Sequence, residues 1–141
     1  MKMYGIPLFG EEKKDEILDA VLKYKPQRPA QKEETYEEGL YQVLKLHLNL
    51  SDKEIIRQYK RFDIAIPKWR TVIEVKHRLS KPERDRLMGQ IIDARSKGYR
   101  VIATIFNSPN KKLIHELVNR LKKAKISEVT IVDDGNIVLN T

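Results

Sequence analysis

Residues 61–77, with the sequence RFDIAIPKWRTVIEVKH, contain the pattern that decides the fold. Two runs rich in β-branched and apolar residues, 61–66 and 71–77, are separated by the four residues PKWR, and this arrangement predicts a β-hairpin. If 67–70 is the loop, Ile66 pairs with Thr71, and the same register sets Asp63 directly opposite Glu74. The hairpin is the clearest local signal in the chain.

The predicted hairpin has one apolar face and one charged face, because side chains alternate along a strand. In 71–77, Glu74 and Lys76 share a face with Val72, while Ile73 and Val75 lie on the other. The same rule divides the first strand into Arg61, Asp63 and Ala65 on one face and Phe62, Ile64 and Ile66 on the other.

Asp63 and Glu74 form an unfavourable pair unless something is bound between them. Cross-strand Cβ atoms lie roughly 5 Å apart, where two carboxylates repel by about 3 kcal/mol at an effective dielectric of about 20. A divalent cation between them turns the repulsion into attraction, and oxygen ligands favour Mg²⁺ or Mn²⁺ over Zn²⁺. Lys76, in phase with Glu74, is placed to contact a metal-bound water or a substrate phosphate.

Four helices are predicted around the hairpin. The first covers 11–24 and is stopped by the prolines that follow, and the second runs from about Glu33 to Leu48. The third begins at Ser80 in a capping box with Glu83 and ends at Gly98. The fourth begins at Ser108-Pro109, with Ser108 as its cap.

Further strands are predicted before and after the hairpin. Residues 54–60 favour a strand, although Ser51-x-x-Glu54 is also compatible with a capping box. The apolar run 99–106 is typical of a strand covered on both faces, and it leads through the fourth helix to 128–132. An Asp134-Gly135 turn then returns the chain through NIVL. The order predicts an α/β sandwich with a mixed sheet.

The bulk composition limits the classes of protein to consider. A chain of 141 residues has the size of one domain, and its net charge of +8 favours polyanionic partners such as nucleic acid. The absence of cysteine excludes disulfides, thiolate zinc sites and cysteine nucleophiles. No signal-peptide run and no stretch of about 18 apolar residues occurs, so we expect a cytoplasmic protein without membrane partners. The abundance of Lys and Glu resembles the composition of proteins from hot environments.

Other chemistries lack their sequence signals. Three histidines lie far apart without metal-ligand spacing, and no Gly-rich phosphate loop is present, so a nucleotide cofactor is not expected.

The pattern Asp63-x₁₀-Glu74-x-Lys76 on a hairpin resembles the PD-(D/E)XK nuclease superfamily, in which Ile-Glu-Val-Lys, here 73–76, is a typical second half. The resemblance covers roughly residues 33–132, although Phe62 stands where many members have proline. It implies a restriction-endonuclease-like three-layer sandwich over 31–141, preceded by a helix and linker over 1–30. The overall pattern is similar to small RecB-like nucleases of archaea and their viruses, and to archaeal Holliday-junction resolvases.

The resemblance also implies residue roles. Asp63, Glu74 and the backbone carbonyl of Val75 would bind Mg²⁺, for which Mn²⁺ would substitute, and Lys76 would orient the attacking water. A further metal-binding glutamate is implied on the preceding helix, where Glu37 fits, with Glu33 and Glu38 as alternatives. RecB-like members add a glutamine on the following helix; Gln90 fits this position, but the tyrosine expected four residues later is replaced by Ala94.

Four residues are candidates for contact with nucleic acid: Arg61, Trp69, Arg84 and Arg86. Arginines are suited to phosphates, and Trp69 at the hairpin tip could stack on a base. An ordinary solvated helix face explains Arg84 and Arg86 equally well, and Trp69 could instead pack against a neighbouring chain.

The expected function is therefore Mg²⁺-dependent hydrolysis of DNA phosphodiester bonds, by a metal-activated water. Two alternatives stay open. One is a junction resolvase acting as a two-fold homodimer, and the other is a non-catalytic DNA-binding protein with the same fold.

Overall fold

The computed structural model describes residues 9–26, with side chains from residue 16, and residues 32–141. The described helices are α1 (Phe9–Lys23), α2 (Glu33–His47), α3 (Lys81–Ser96) and α4 (Lys111–Lys123). The described strands are β1 (Ile56–Tyr59), β2 (Phe62–Ile66), β3 (Thr71–His77), β4 (Arg100–Phe106), β5 (Val129–Asp133) and β6 (Asn136–Asn140).

The six strands form one mixed sheet in the order β1-β2-β3-β4-β5-β6. Strands β1, β2 and β3 pair antiparallel, β3, β4 and β5 pair parallel, and β6 returns antiparallel to β5. The parallel pairs are joined through α3 and α4, as crossover connections require. The predicted α/β sandwich with a mixed sheet is confirmed.

The sheet divides the core into two layers. One apolar cluster joins α1 and α2 to Ile64, Ile73 and Val75, and the other joins α3 and α4 to Ala65 and Val72. The alternation expected along β3 is therefore confirmed. Because residues 17–21 of α1 contribute buried side chains to the first cluster, this helix shares the core of the sheet. Part of the predicted linker, 27–31, lies outside the described residues.

The hairpin has the predicted register. Ile66 pairs with Thr71, Ala65 with Val72 and Ile64 with Ile73. A 3₁₀ turn at Pro67–Trp69 and left-handed Arg70 (φ 45°) close the four-residue loop. Asp63 and Glu74 stand at the next position of this register, where the regular ladder has ended.

Phe62 differs from the predicted alternation. It packs with Ala65 and Val72 in the α3/α4 layer rather than with Ile64 and Ile66. Lys60 and Arg61 both have left-handed backbone (φ 49° and 73°), which turns the chain immediately before Phe62. The prediction assumed a regular strand from residue 61, and that assumption was wrong at its first two positions.

One predicted cap is also wrong. Ser80 caps α3, with its Oγ accepting a hydrogen bond from the Glu83 N–H at 3.3 Å. Helix α4 instead begins after Asn110, whose Oδ1 accepts from the Lys112 N–H at 3.1 Å. Ser108 is buried, and its Oγ accepts from the Leu79 N–H at 2.6 Å, which ties the entry of α3 to the end of β4.

The region before the hairpin is a turn followed by a strand, as favoured. Glu54 Oε1 accepts from the Ser51 N–H at 2.9 Å, and Ile56 then begins β1. Among the described residues, no helix has the length and apolar character needed to cross a membrane.

Candidate active site

Asp63 and Glu74 meet where β2 and β3 separate. The Val75 N–H donates to Asp63 Oδ2 at 2.8 Å, so this side chain takes the place of a strand partner. The Asp63 N–H donates to Glu74 Oε2 at 3.4 Å, so each strand contributes one N–H to the carboxyl group of the other. Two carboxylates that are 11 residues apart in sequence are thus held together by backbone N–H groups on both sides.

The Glu74 carboxylate is buried and incompletely satisfied. Its residue is 1% exposed, and Oε1 has no hydrogen-bond partner. Burial, and then the negative charge of Asp63, raise the pKa of Glu74 from 4.5 to about 9, against the opposing effect of Lys76. A buried acceptor without a donor is costly, so this oxygen requires an explanation from outside the chain's own contacts.

The pKa of Asp63 is also raised. Burial raises its pKa, while the hydrogen bond from the Val75 N–H and the charge of Lys76 lower it. The negative charge of Glu37 also acts to raise the pKa of Asp63. With a pKa of about 9, Glu74 keeps its proton at neutral pH, so the pair avoids a second negative charge that its surroundings would not neutralise.

Lys76 supplies the positive charge of the site. Its residue is 4% exposed, on the same face of β3 as Glu74. The ammonium lowers the pKa of Asp63, Glu74 and Glu33, which places it within electrostatic reach of three carboxylates. A buried lysine is uncommon unless paired, and here it faces an acidic cluster.

The donor set fits a divalent cation in its chemistry. Two adjacent carboxyl groups, a buried oxygen without a partner and pKa values raised mainly by burial are what a hard cation would relieve. Within the described ranges, no group of three or more His, Cys, Asp or Glu side chains is close enough to hold a metal ion. The side chains that fit as metal ligands are therefore those of Asp63 and Glu74. Val75, whose backbone carbonyl is the third implied ligand, follows Glu74 directly in sequence.

Glu37 has a different position from the one implied for it. It is buried in α2, where its Oε2 accepts from Arg57 Nε at 2.8 Å and its Oε1 from Gln58 Nε2 at 2.9 Å. Both oxygens are engaged, so the structure does not bring Glu37 into a three-carboxylate group with Asp63 and Glu74. Arg57 also pairs with Glu38, which fixes β1 against α2. Sequence reasoning missed Arg57 and Gln58 because they come from a separate strand 20 residues away.

Glu33, one helical turn earlier, lies closer to the end of β3. Its Oε2 accepts from the His77 N–H at 3.1 Å. Burial raises the pKa of Glu33, and the charges of Lys76 and Asp63 act on it as well. Helix α2 therefore presents two carboxylates to this end of the sheet, in different environments.

Gln90 lies in α3, outside the carboxylate pair of β2 and β3. Its Oε1 is buried and has no hydrogen-bond partner. Together with residues of β2 and α3 it lines a cavity of about 350 Å³, which we call the α3 cavity; its lining is Arg61, Phe62, Arg86, Gly89, Gln90 and Asp93. Arg61 and Phe62 immediately precede Asp63.

The four predicted nucleic-acid contacts have different surroundings. Arg61 and Arg86 are exposed, and Arg86 pairs with Glu83 at 3.3 Å. Arg84 is only 2% exposed and forms ion pairs with Asp85 and Glu116, so its position is that of a structural residue and not of a phosphate contact. Trp69 is half-buried against the α1/α2 cluster, and Lys68 Nζ lies 4.7 Å from its ring centroid.

Comparisons of this chain with protein-family models, with curated proteins and with solved structures gave no match.

Proposed function

We propose that this chain is a metal-dependent nuclease that hydrolyses DNA phosphodiester bonds. The observation that supports this most strongly is the contact between half-buried Asp63 and buried Glu74, with the unpartnered Glu74 Oε1 and with buried Lys76 on the same face of the strand as Glu74. Two adjacent carboxyl groups, one of them fully buried, lower the stability of the fold wherever both are ionised, so their presence favours a function that needs them. A pair of carboxylates that holds a divalent cation is an established way to catalyse phosphodiester hydrolysis.

Asp63, Glu74 and the Val75 carbonyl are the groups that would hold Mg²⁺ or Mn²⁺. The bound ion would lower the pKa of a coordinated water and stabilise negative charge on the phosphate oxygens. Lys76 would donate hydrogen bonds to the water or to a non-bridging phosphate oxygen and hold it in line with the leaving oxygen. The water oxygen forms the new P–O bond, the bond to the leaving sugar oxygen breaks, and that oxygen takes up a proton.

Glu33 and Glu37 contribute charge rather than direct ligands in this proposal. Glu37 is held by Arg57 and Gln58, and Glu33 by the His77 N–H. Both residues fix α2 against the end of the sheet where the carboxylate pair lies.

DNA is the proposed substrate because of charge. The net charge of +8 favours binding to a polyanion, and Arg61, two residues before Asp63 in the chain, and Arg86 are both exposed. RNA shares the phosphodiester chemistry, so the test compares the two.

The experiment is a cleavage assay on single-stranded, duplex and four-way DNA and on RNA, each with Mg²⁺, with Mn²⁺ and with EDTA. We expect cleavage of DNA with either metal and none with EDTA. Lys76→Ala should abolish cleavage without unfolding the protein, whereas Asp52→Ala, which removes an exposed carboxylate away from the site, should leave it unchanged. DNA binding without cleavage under every metal condition would overturn the proposal and favour a non-catalytic binding protein.

A further inference from the structure

Two exposed arginines, Arg61 and Arg78, stand apart from the other arginines of the described chain. Within the described residues, neither side chain forms a hydrogen bond or an ion pair. Ion pairs engage five of the others: Arg57, Arg84, Arg86, Arg95 and Arg120. Arg70 donates to backbone carbonyls just after α3, and Arg100 is buried. The charges of Arg61 and Arg78 are therefore available to a partner outside the chain.

The turns at these two positions do not call for arginine. Arg61 (φ 73°) and Arg78 (φ 55°) have left-handed backbone, which glycine adopts without the steric cost that a Cβ brings. At two other left-handed positions the side chain is used within the protein, since Gln58 donates to Glu37 and Arg70 to the carbonyls after α3. A backbone outlier that no internal contact explains is a reason to look for a function.

Both arginines lie next to the candidate site, because the chain itself limits their distance from it. Arg61 precedes Asp63 by two residues and Arg78 follows Lys76 by two, and two residues of fully extended chain span at most about 7 Å. Since β2 and β3 are antiparallel, the start of β2 and the end of β3 lie at the same end of the sheet. The Arg78 N–H donates to the Phe106 carbonyl of β4 at 2.9 Å. In the strand order β2-β3-β4, Lys76 therefore lies between the two arginines.

This arrangement fits a ligand that carries several phosphates in a row. Guanidinium groups stay charged and bind phosphate through two parallel N–H bonds. Arginines on either side of Lys76 would meet successive phosphates of a strand that crosses the end of the sheet from β2 to β4. The phosphate between them would then reach Lys76 and the carboxylate pair, where the proposed cation is held.

We propose that Arg61 and Arg78 bind the two phosphates of a DNA strand that flank the cleaved phosphate, with Arg61 on the β2 side and Arg78 on the β4 side. This inference rests on the proposed nuclease function. The two contacts set the position of the strand along the sheet, so that one phosphodiester bond at a time faces Lys76 and the carboxylate pair.

Glutamine at either position removes the charge and keeps a long polar side chain. Neither Arg61→Gln nor Arg78→Gln breaks a side-chain hydrogen bond or ion pair of the described chain, so both should melt at the wild-type temperature. Lys125→Gln is the matched control. Lys125 is exposed, has left-handed backbone (φ 54°) and, in the part of the chain that the structure describes, has no side-chain hydrogen bond or ion pair. It precedes β5, whereas Arg78 follows β3, so it lies at the opposite end of these parallel strands.

The first measurement is DNA binding in EDTA, by fluorescence anisotropy over a series of salt concentrations. The loss of one phosphate contact lowers the steepness of the salt dependence by about 0.7 for single-stranded DNA and about 0.9 for duplex DNA. We expect this loss for Arg61→Gln and for Arg78→Gln, about twice the loss for the double variant, and the wild-type slope for Lys125→Gln. A wild-type slope in either arginine variant would overturn the inference, whether or not the protein cleaves DNA.

The second measurement locates the two contacts along the strand. The probe is an end-labelled DNA oligonucleotide with one uncharged methylphosphonate in place of a phosphate, moved through each position in turn, and cleavage in Mg²⁺ is read bond by bond. For the wild type and Lys125→Gln, we expect cleavage to slow about tenfold when either phosphate next to the cleaved one is neutral, the effect of one lost charged contact. Arg61→Gln should lose this sensitivity on one side only, and Arg78→Gln on the other.

The two measurements separate the inference from the nuclease proposal. Cleavage with the wild-type methylphosphonate profile in both arginine variants would overturn the inference and leave the nuclease proposal standing. A wild type that cleaves no DNA, with the expected loss of slope in both arginine variants, would overturn the nuclease proposal and leave the two phosphate contacts supported.

Discussion

Among single residues, the central feature of the site is one oxygen atom, Glu74 Oε1. It is buried, it lacks a donor, and its carboxyl group lies against that of Asp63. In a sheet selected for stability alone, an apolar residue at position 74 would remove both the desolvation cost and the repulsion. The retention of the acid pair beside a buried lysine is therefore better explained by chemistry than by folding.

The pH dependence of stability follows from the Glu74 carboxyl group. Its pKa in the folded, metal-free protein is about 9 against an ordinary value of 4.5, so the folded state holds a proton that the unfolded chain releases. The resulting stabilisation is complete below pH 4.5 and is lost as the pH rises towards 9. The raised pKa values of Asp63 and Glu33 act in the same direction.

We therefore expect the free energy of unfolding, measured by urea denaturation in EDTA, to fall as the pH rises from about 5 to about 9. Glu74→Gln, which mimics the protonated carboxyl, should show a shallower fall and be more stable than the wild type at pH of about 8, by on the order of 2 kcal/mol. Identical pH profiles for the two proteins would contradict the assignment of a protonated, buried Glu74.

At the scale of elements, helices α3 and α4 are joined by a buried arginine. Arg84 of α3 pairs with Glu116 of α4 and with its neighbour Asp85, while Arg120 of α4 also reaches Asp85 at 3.0 Å. Arg86, two residues further along α3, points to solvent with a side chain that is 69% exposed. Two arginines in one helical turn thus have different tasks, which the sequence alone could not separate.

Alanine substitutions should distinguish these tasks. Arg84→Ala removes a buried ion pair and the packing of its stem, so we expect its free energy of unfolding to fall by about 3 kcal/mol, with DNA affinity unchanged at a temperature where it is folded. Arg86→Ala should leave stability within about 0.5 kcal/mol of the wild type and weaken DNA binding. Thermal unfolding and fluorescence anisotropy measure the two effects, and a loss of affinity in Arg84→Ala with unchanged stability would contradict the structural role.

The elements that sequence predicted well are those with local causes. The four-residue loop fixed the register of β2 and β3, and Ser80 was recognised as a cap from its own neighbours. Phe62 was misplaced because two left-handed residues interrupt the alternation. Ser108 was misassigned because its partner, the Leu79 N–H, is 29 residues away. The engagement of Glu37 by Arg57 and Gln58 likewise depends on how β1 packs on α2, which no local pattern encodes.

In the molecule as a whole, a net positive charge is combined with a small group of carboxyl groups at one end of the sheet. The chain carries 28 Lys and Arg against 20 Asp and Glu, yet Asp63, Glu74, Glu33 and Glu37 gather at one end of the sheet. A positively charged surface attracts the nucleic-acid backbone, and an acidic centre within it attracts the cation that hydrolysis requires. The two charge distributions are complementary parts of one proposed function.

Binding to DNA in EDTA should therefore be strongly salt-dependent. We expect the logarithm of the association constant to fall linearly with the logarithm of salt concentration, with a slope of about −0.9 for each phosphate contact. Anisotropy titrations across a series of salt concentrations measure this slope. An affinity that is independent of salt would contradict the assignment of the net charge to DNA binding.

The role of the Asp63–Glu74 pair in cleavage is measured by the single-turnover rate of DNA cleavage in saturating Mg²⁺ by the wild type and by Glu74→Gln. The substitution keeps the size and shape of the side chain, replaces one carboxyl oxygen by an NH₂ group and removes the charge that would hold the cation. We expect metal-dependent cleavage by the wild type. A folded Glu74→Gln protein should cleave at least about 10³-fold more slowly, consistent with several kcal/mol of lost transition-state stabilisation. Cleavage by Glu74→Gln at the wild-type rate would contradict this role.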